Sequence, residues 1–403
     1  MYSRIAVRNL LKNKTRTMLS ILMIAGAMVA MIVFRGYVLR TLDIVKTVIV
    51  NGQYGHLQIG KKNYWDQTAE TRSQSLISEP NALEKKLEAH PQVDFVSQRL
   101  TFFGLVSTEN LSESGYFIGI DVAKEKHFSQ GVHMLEGEIL NPGNKGSVIL
   151  GNLLAKRMRV KPGDDITIVS NTLDKVINAI DVKVAGIFTT GTEEFDRLSC
   201  FIHLEDAQKI LQTSSAEHLR ISLKTMDHLP KIRDDFNQQY DSENLRVKSW
   251  YELSDLFRKV EIFYNTQTGI MYFILMFIVG LGMMNTFSMS LSERVGEIGT
   301  LRALGQTRSS LFIQFMVESL YLCVIGLVIG LILSYLMIAG VNAAEIYTEI
   351  PGASIPVKIQ IGFYWNVVIS VCLIVTFVVH GFTVFLINRF IRMNIVEALR
   401  HNI

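Results

Sequence analysis

Residues 268–291 read TGIMYFILMFIVGLGMMNTFSMSL, and residues 292–305 continue SERVGEIGTLRALG. The first stretch runs 24 residues without a charge, whereas the second holds Glu293, Arg294, Glu297 and Arg302. A bilayer core about 30 Å thick needs about 20 apolar residues of helix. The first stretch therefore reads as a membrane span and the second as the polar connection at its end. Three further apolar blocks lie at residues 18–38, 310–340 and 363–388, each long enough to cross. The 403-residue chain is 49% hydrophobic and 19% charged. Soluble domains carry about 25% charge, and the deficit here is gathered into the four blocks.

Charge sets the expected orientation. The first 17 residues contain Arg4, Arg8, Lys12, Lys14 and Arg16 and no acid, which by the positive-inside rule places the N-terminus in the cytoplasm. The connection 292–309, with Arg294, Arg302 and Arg308, and the tail, with Arg389, Arg392 and Arg400, fall on the same side. The connection 341–362, with Lys358 beside Glu345 and Glu349, falls outside. The expected fold class is a membrane protein with four transmembrane α-helices, N-in and C-in, and a large α+β extracytoplasmic domain between the first two. The divisions are 1–17, a cytoplasmic amphipathic helix; 18–39, span one; 40–265, the periplasmic domain; 266–291, span two; and 292–309, a cytoplasmic helix or loop. They continue with 310–340, span three; 341–362, an outer loop; 363–388, span four; and 389–403, the tail. The first apolar run exceeds the about 7–15 residues of a signal-peptide core and has no small-residue cleavage site, so it is expected to be an anchor. Arg4, Arg8, Lys12 and Arg16 recur every fourth residue, opposite Val7, Leu10 and Leu11, as in a helix lying on an anionic inner leaflet.

Between the first two spans, Val93–Ser107, Tyr116–Ile120, Ile166–Val169, Asp181–Phe188 and Leu219–Leu223 read as strands, and His203–Leu211 and Pro230–Tyr240 as helices. Gly146–Met158 runs from a strand into a helix. The histidines are scattered without metal-ligand spacing, and three cysteines offer no disulfide framework. A net charge of +3 gives no reason to expect nucleic acid. The sequence has no phosphate-binding G-x-x-x-x-G-K-S/T, no H-E-x-x-H and no G-x-S-x-G. If ATP drives this protein, another chain binds it.

Within 292–305, Val295, Ile298, Leu301 and Leu304 would form one apolar edge of a short helix. Gly296 and Gly299 each weaken such a helix by about 1 kcal/mol relative to alanine, so it needs packing from elsewhere. Glu293-Arg294, Glu297-Ile298-Gly299 and Leu301-Arg302-Ala303-Leu304-Gly305 closely resemble the E-R-x-x-E-I-G-x-L-R-A-x-G signature of FtsX-like ABC transporter permeases. The resemblance extends over the whole chain, from the basic segment Arg8–Lys14 to an ending, Asn394–Arg400, similar to P-x-E-A-L-R, with Asn394 in the proline's place. Gly55-His56-Leu57-Gln58-Ile59, Gly151…Leu154-Ala155…Gly163-Asp164 and Gly186-Ile187-Phe188…Gly191…Asp196 look most like the LolC/LolE branch.

The resemblance implies that Glu293, Arg294, Glu297, Ile298, Leu301, Arg302, Leu304 and Gly305 form a coupling helix docking on a separate cytoplasmic ABC ATPase dimer. The chain itself is then a non-catalytic permease subunit without cofactor, and ATP and Mg are bound by that partner. A second permease copy or paralogue, membrane lipid, and a periplasmic lipoprotein chaperone or adaptor are further implied partners, in a bacterial inner membrane. The expected work is the extraction or release of lipoproteins or another amphiphile. The alternatives are MacB-like efflux of a peptide, toxin or macrolide, or an FtsX-like relay to a cell-wall hydrolase.

Two sets of side chains inside the spans invite roles. Glu318 and His380 each lie about eight residues from a cytoplasmic end, hence at about 12 Å depth. Intramembrane ionisable groups usually face the bundle and pair, so the two are expected to meet between spans three and four. In the LolC/LolE branch the lipid anchor enters between spans one and two, and Met23, Met31, Met271 and Met276 would offer an adaptable lining there; ordinary packing is the plainer alternative. Gly326 and Gly330, and Gly26 and Ala30, make small-x-x-x-small steps that permit close helix approach without naming the partner.

Overall fold

The computed structural model describes residues 8, 14–66, 75–125, 128–348 and 357–391. The chain forms two compact units, one of residues Met1–Leu42, Glu261–Ile346 and Lys358–Ile403, the other of Asp43–Val260 and Tyr347–Val357. Four long helices are long and apolar enough to cross a membrane: α1 (Lys14–Val48), α6 (Asp255–Glu293), α8 (Arg308–Ala343) and α9 (Trp365–Ile391). Both α1 and α6 outrun the apolar stretches that announce them. α1 passes into a π-helical turn, Ile49–Tyr54. Of the expected surface helix, 1–17, residues 1–7 and 9–13 lie outside the described residues and residues 14–17 begin α1; the family-like ending, 394–400, also lies outside them.

In the first unit the helices pack through one apolar cluster that includes Ile24, Met28, Met31, Met283, Val371, Val375 and Val379. Lipid is as apolar as these side chains, so close packing rather than escape from water holds such helices together. Span three supplies one close approach. A Cβ on Gly326 would stand 2.7 Å from Ile24, and one on Gly330 would stand 3.0 Å from Met28. The glycine step of α8 therefore receives α1. Gly26 has nothing within 4 Å of its own Cβ position among the described residues. At its start α8 is capped by Thr307, whose side chain accepts from the Ser310 amide, as N-caps do.

The second unit is built on a mixed ten-stranded sheet: β1 (Leu57–Lys61), β2 (Val93–Ser107), β3 (Ser112–Ile120), β4 (His133–Gly137), β5 (Ser147–Gly151), β6 (Asp165–Asn171), β7 (Ile177–Thr189), β8 (Ser199–His203), β9 (His218–Leu223) and β10 (Leu245–Ser249). Its order is β10-β1-β9-β2-β3-β8-β5-β7-β4, with β6 pairing β2 and β7. β3–β8 and β5–β7 are parallel and the other pairs antiparallel. β5, β8 and β9 are buried along their whole length, and they read as unbroken apolar or mixed runs rather than alternations. β6 alternates and is half solvated. α3 (Asn152–Met158) and α4 (Leu204–Leu211) cover one cluster around Leu150, Ile168 and Ile202. α2 (Pro80–Glu88) and α5 (Leu229–Tyr240) cover another around Ile59, Leu219 and Val247. The strands expected from sequence at Val93, Tyr116, Ile166, Asp181 and Leu219 are all present. β1, β4, β8 and β10 are short segments that sequence patterning does not distinguish.

Candidate functional site

At the basic end of the bundle, α6 stops at Glu293 and a short helix, α7 (Val295–Ala303), follows. Leu304 closes it and Gly305, at φ +93°, turns the chain toward α8. Val295 is buried, and Ile298 packs on a cluster of Leu291, Leu311, Phe315 and Ile387. The support that the glycines of this helix require thus comes from the chain's own spans. Leu304, on the same apolar edge, is 80% exposed, and Arg302 is half-buried. The side chains of Glu297 and Leu301 lie outside the described residues.

Ion pairs to spans one and three fasten this segment. Arg16 Nη1 and Nη2 donate to the Glu293 carboxylate at 2.5 and 2.6 Å, a bidentate bridge from the start of α1. Arg294 Nη1 donates to Glu318 Oε2 at 3.3 Å, the two side chains being 11% and 7% exposed. Arg294 therefore faces the bundle, while Glu293, about half exposed, reaches across to span one. The Glu318–His380 pair expected from their depth is corrected here. Glu318 meets Arg294 instead, and His380 Nδ1 is bonded to the Thr376 carbonyl of its own helix at 2.9 Å. An arginine brought up by the turn after α6 is a permanent cation with a forked donor, and it offers a carboxylate more than a histidine does.

The methionine lining is corrected in part. Met31 is 0% and Met276 9% exposed, both inside the helix cluster. Met23 stands against Gly282, and Met271 is half-buried. These flexible thioethers fill gaps between helices. The apolar side chains that spans one and two do expose include Met18, Leu19 and Leu22, and Ile270, Phe273, Ile274, Phe277 and Ile278.

A third polar assembly, in the second unit, went unmarked by sequence reasoning. Glu125 accepts from Arg99 Nε at 2.7 Å and Nη2 at 2.5 Å, from Arg220 Nη1 at 2.6 Å and from Ser97 Oγ at 3.0 Å. Its side chain is 0% exposed, and those of the arginines 2%. Burial alone would raise the Glu125 carboxyl, but the charges of Arg99 and Arg220 outweigh it and hold the group below the usual carboxylate range. Burial pushes Arg220 down to about 10, against the pull of Glu125. Arg220 Nη2 also donates to the carbonyls of Val50 at 2.8 Å and Asn51 at 2.7 Å, and Arg99 Nη2 reaches Gly52 O at 3.4 Å. Those are carbonyls at the C-terminal end of a helix, where the dipole is negative and cations are favoured. The same π turn is closed on its other side by glycine against glycine, since a Cβ on Gly52 would stand 2.9 Å from Gly131 O. The available signal was Ser97-Gln98-Arg99, three consecutive polar residues inside a strand otherwise rich in apolar side chains. No alternation explains all three, and all three are buried.

Two histidines of this unit make structural contacts. His56 Nδ1 accepts from Leu223 N at 2.9 Å, and His218 Nδ1 lies 3.2 Å from Tyr64 Oη. Among the described residues no three His, Cys, Asp or Glu side chains cluster as metal ligands.

The family model for the FtsX-like permease C-terminal region matches residues 269–395, and that for the MacB-like periplasmic core domain matches residues 17–239. The lipoprotein-releasing system transmembrane protein LolC of Xylella fastidiosa is 28% identical over 48% of this chain and 48% of its own. The macrolide export ATP-binding/permease protein MacB of Bordetella avium is 23% identical over 68% of this chain and 42% of its own. The chain spans about half the length of the curated relatives it matches. The crystal structure of the periplasmic region of MacB from Actinobacillus actinomycetemcomitans covers 52% of this chain and 95% of its own, at 12% identity and a TM-score of 0.37.

Proposed function

The chain belongs to the ABC transporter permeases built from an FtsX-like C-terminal region and a MacB-like periplasmic core domain, and from that premise we propose that it turns ATP hydrolysis by a separate cytoplasmic ATPase into movement of its extracytoplasmic domain. In this reading both termini and α7 are cytoplasmic, the second unit is periplasmic, and the membrane is the bacterial inner membrane. The observation that carries it is α7. The two residues that join it to span two are tied to span one through Glu293–Arg16 and to span three through Arg294–Glu318, while Leu304 at its other end remains exposed for a partner. A push on such a helix is delivered to two spans at once. The apolar faces of spans one and two offer no polar path for a hydrophilic solute and suit acyl chains. The substrate proposed is therefore a lipoprotein or another amphiphile in the outer leaflet.

The test is purification in mild detergent from cells fed a labelled fatty acid. Acylated proteins that accompany the chain and leave on adding ATP are the expected result. An associated ATPase without acylated cargo would sink the lipoprotein reading, and a co-purifying adaptor or hydrolase would then point to efflux or to a relay. Glu297→Lys should reach the membrane yet lose stimulation of the ATPase; normal coupling would mean the segment has another role.

A further inference from the structure

Spans two and four touch and then part. Gly280 has given its side-chain space to a ring, since a Cβ there would stand 2.3 Å from Phe382. Beyond that contact, toward the C-terminal ends of α6 and α9, the helices leave a groove of about 700 Å³. Its floor is apolar, made by Leu281, Met284 and Leu386. Its polar lining is Asn285, Ser288, Ser292 and Arg389. This is one cation with hydrogen-bond donors and no carboxylate. The nearby Glu293 is held by Arg16. Ser292 Oγ donates to Ser288 O at 2.9 Å. Among the described residues the side chains of Asn285, Ser288 and Arg389 have no hydrogen-bond or ion-pair partner.

An amide and a hydroxyl on the flank of a membrane helix, away from water, need a partner that enters from the bilayer. The positive charge at the groove's end selects an anion. The apolar floor requires that the anion carry acyl chains. Asn285 lies seven positions from Ser292, about 10 Å along the helix, so the donors are spread over a depth rather than gathered at one point. A glycerophospholipid matches that spread, with a charged phosphate at the surface and ester carbonyls, acceptors only, a step deeper.

We propose that this groove binds an anionic glycerophospholipid of the leaflet at the C-terminal ends of α6 and α9. Its phosphate sits on Arg389, and its ester carbonyls accept from Asn285 and Ser288. In the orientation given above this is the cytoplasmic leaflet, where anionic lipid is available; the binding test in detergent does not depend on that orientation. A lipid wedged below the Gly280–Phe382 contact would keep spans two and four apart at their inner ends, next to the segment that receives the ATPase.

The experiment is native mass spectrometry of the full chain, stripped of lipid in detergent and titrated with phosphatidylglycerol, phosphatidylcholine or glycerol 3-phosphate. Phosphatidylglycerol should be retained well above phosphatidylcholine, and glycerol 3-phosphate should not bind. Arg389→Gln, at an exposed position, should weaken phosphatidylglycerol about fivefold, the effect of one basic residue at a lipid surface. Ser288→Phe, which fills the groove, should remove it. Equal retention of the two lipids, or phosphatidylglycerol binding unchanged in both variants, would overturn the proposal. Glycerol 3-phosphate binding as tightly as the lipid would make the groove a site for soluble anions instead. A disulfide between two copies of an Asn285→Cys chain, formed without added lipid, would assign the groove to a second copy.

Discussion

Each unit of this protein buries arginine against glutamate, and the two do so in opposite ways. In the second unit Glu125 sits between Arg99 and Arg220, fully enclosed, with every carboxylate bond at 3.0 Å or less. In the span bundle Arg294 meets Glu318 in one contact of 3.3 Å at the mouth of the helices. The first is a joint, since three backbone carbonyls of the π turn are bonded to the same guanidinium groups. Only Arg220 Nε in it is left without a partner. The second is a fastening that a small displacement of α7 could loosen. A closed cluster resists change, because removing any member strands a buried charge. A single long contact near a polar end can re-form with water, which suits a segment that receives an outside partner.

The sharpest way to break this comparison is Glu125→Ala. It leaves two buried arginines uncompensated and should destabilise the second unit by about 3–5 kcal/mol, read as the loss of its cooperative unfolding transition in the full chain; a loss below about 1 kcal/mol would mean that water enters and the cluster is not closed. Acid should act through the same carboxyl. Its native pKa lies below the ordinary 4.5, so its contribution is complete above that value and is lost as pH falls through the native one. Unfolding measured across neutral pH should therefore be flat, with the decline confined to acid below 4.5.

Glu318→Ala comes next, at about 2 kcal/mol for a hydrogen bond to a charged group. Arg294→Met combined with Glu318→Leu should recover much of that loss. If the double replacement is worse than either single change, the pair is a joint like the first and the contrast fails. Within the bundle, Gly326→Val should cost about 1–3 kcal/mol by overpacking against Ile24, while Gly26→Val, with open space around it, should leave the thermal transition of the detergent-purified chain in place. The smallest effect on stability belongs to Leu304→Asp. An exposed surface change should stay within about 0.5 kcal/mol and yet abolish ATPase association in a pull-down. Retained association would move the docking surface elsewhere on the segment.

Much of the architecture was legible in the residues because the quantities that set it run along the chain. Bilayer thickness is a length, so four apolar blocks announce four spans. Lysine and arginine in the short connections give a consistent expected orientation, and Ser292–Gly305 carries its family likeness in consecutive positions. Strands such as Ser147–Gly151 and Asp165–Asn171 follow from apolar runs and turn residues.

What tertiary structure decided was pairing. Glu318 and His380 share a depth, but depth is one coordinate, and a partner also needs the right rotation about the helix axis. Packing turned Glu318 to Arg294, 24 residues away. The glycine step of span three met span one, and Met31 and Met276 filled a core where an adaptable lining was expected. Arg99, Glu125 and Arg220 lie in a strand, a turn and another strand, and each alone reads as a solvated charge. Only the register that sets Ser97 opposite Arg220 and Arg99 opposite His218 encloses all three. Hydrophobic length and local charge survive projection onto a sequence. Which buried ion finds which partner depends on distances that exist only after the chain has closed on itself.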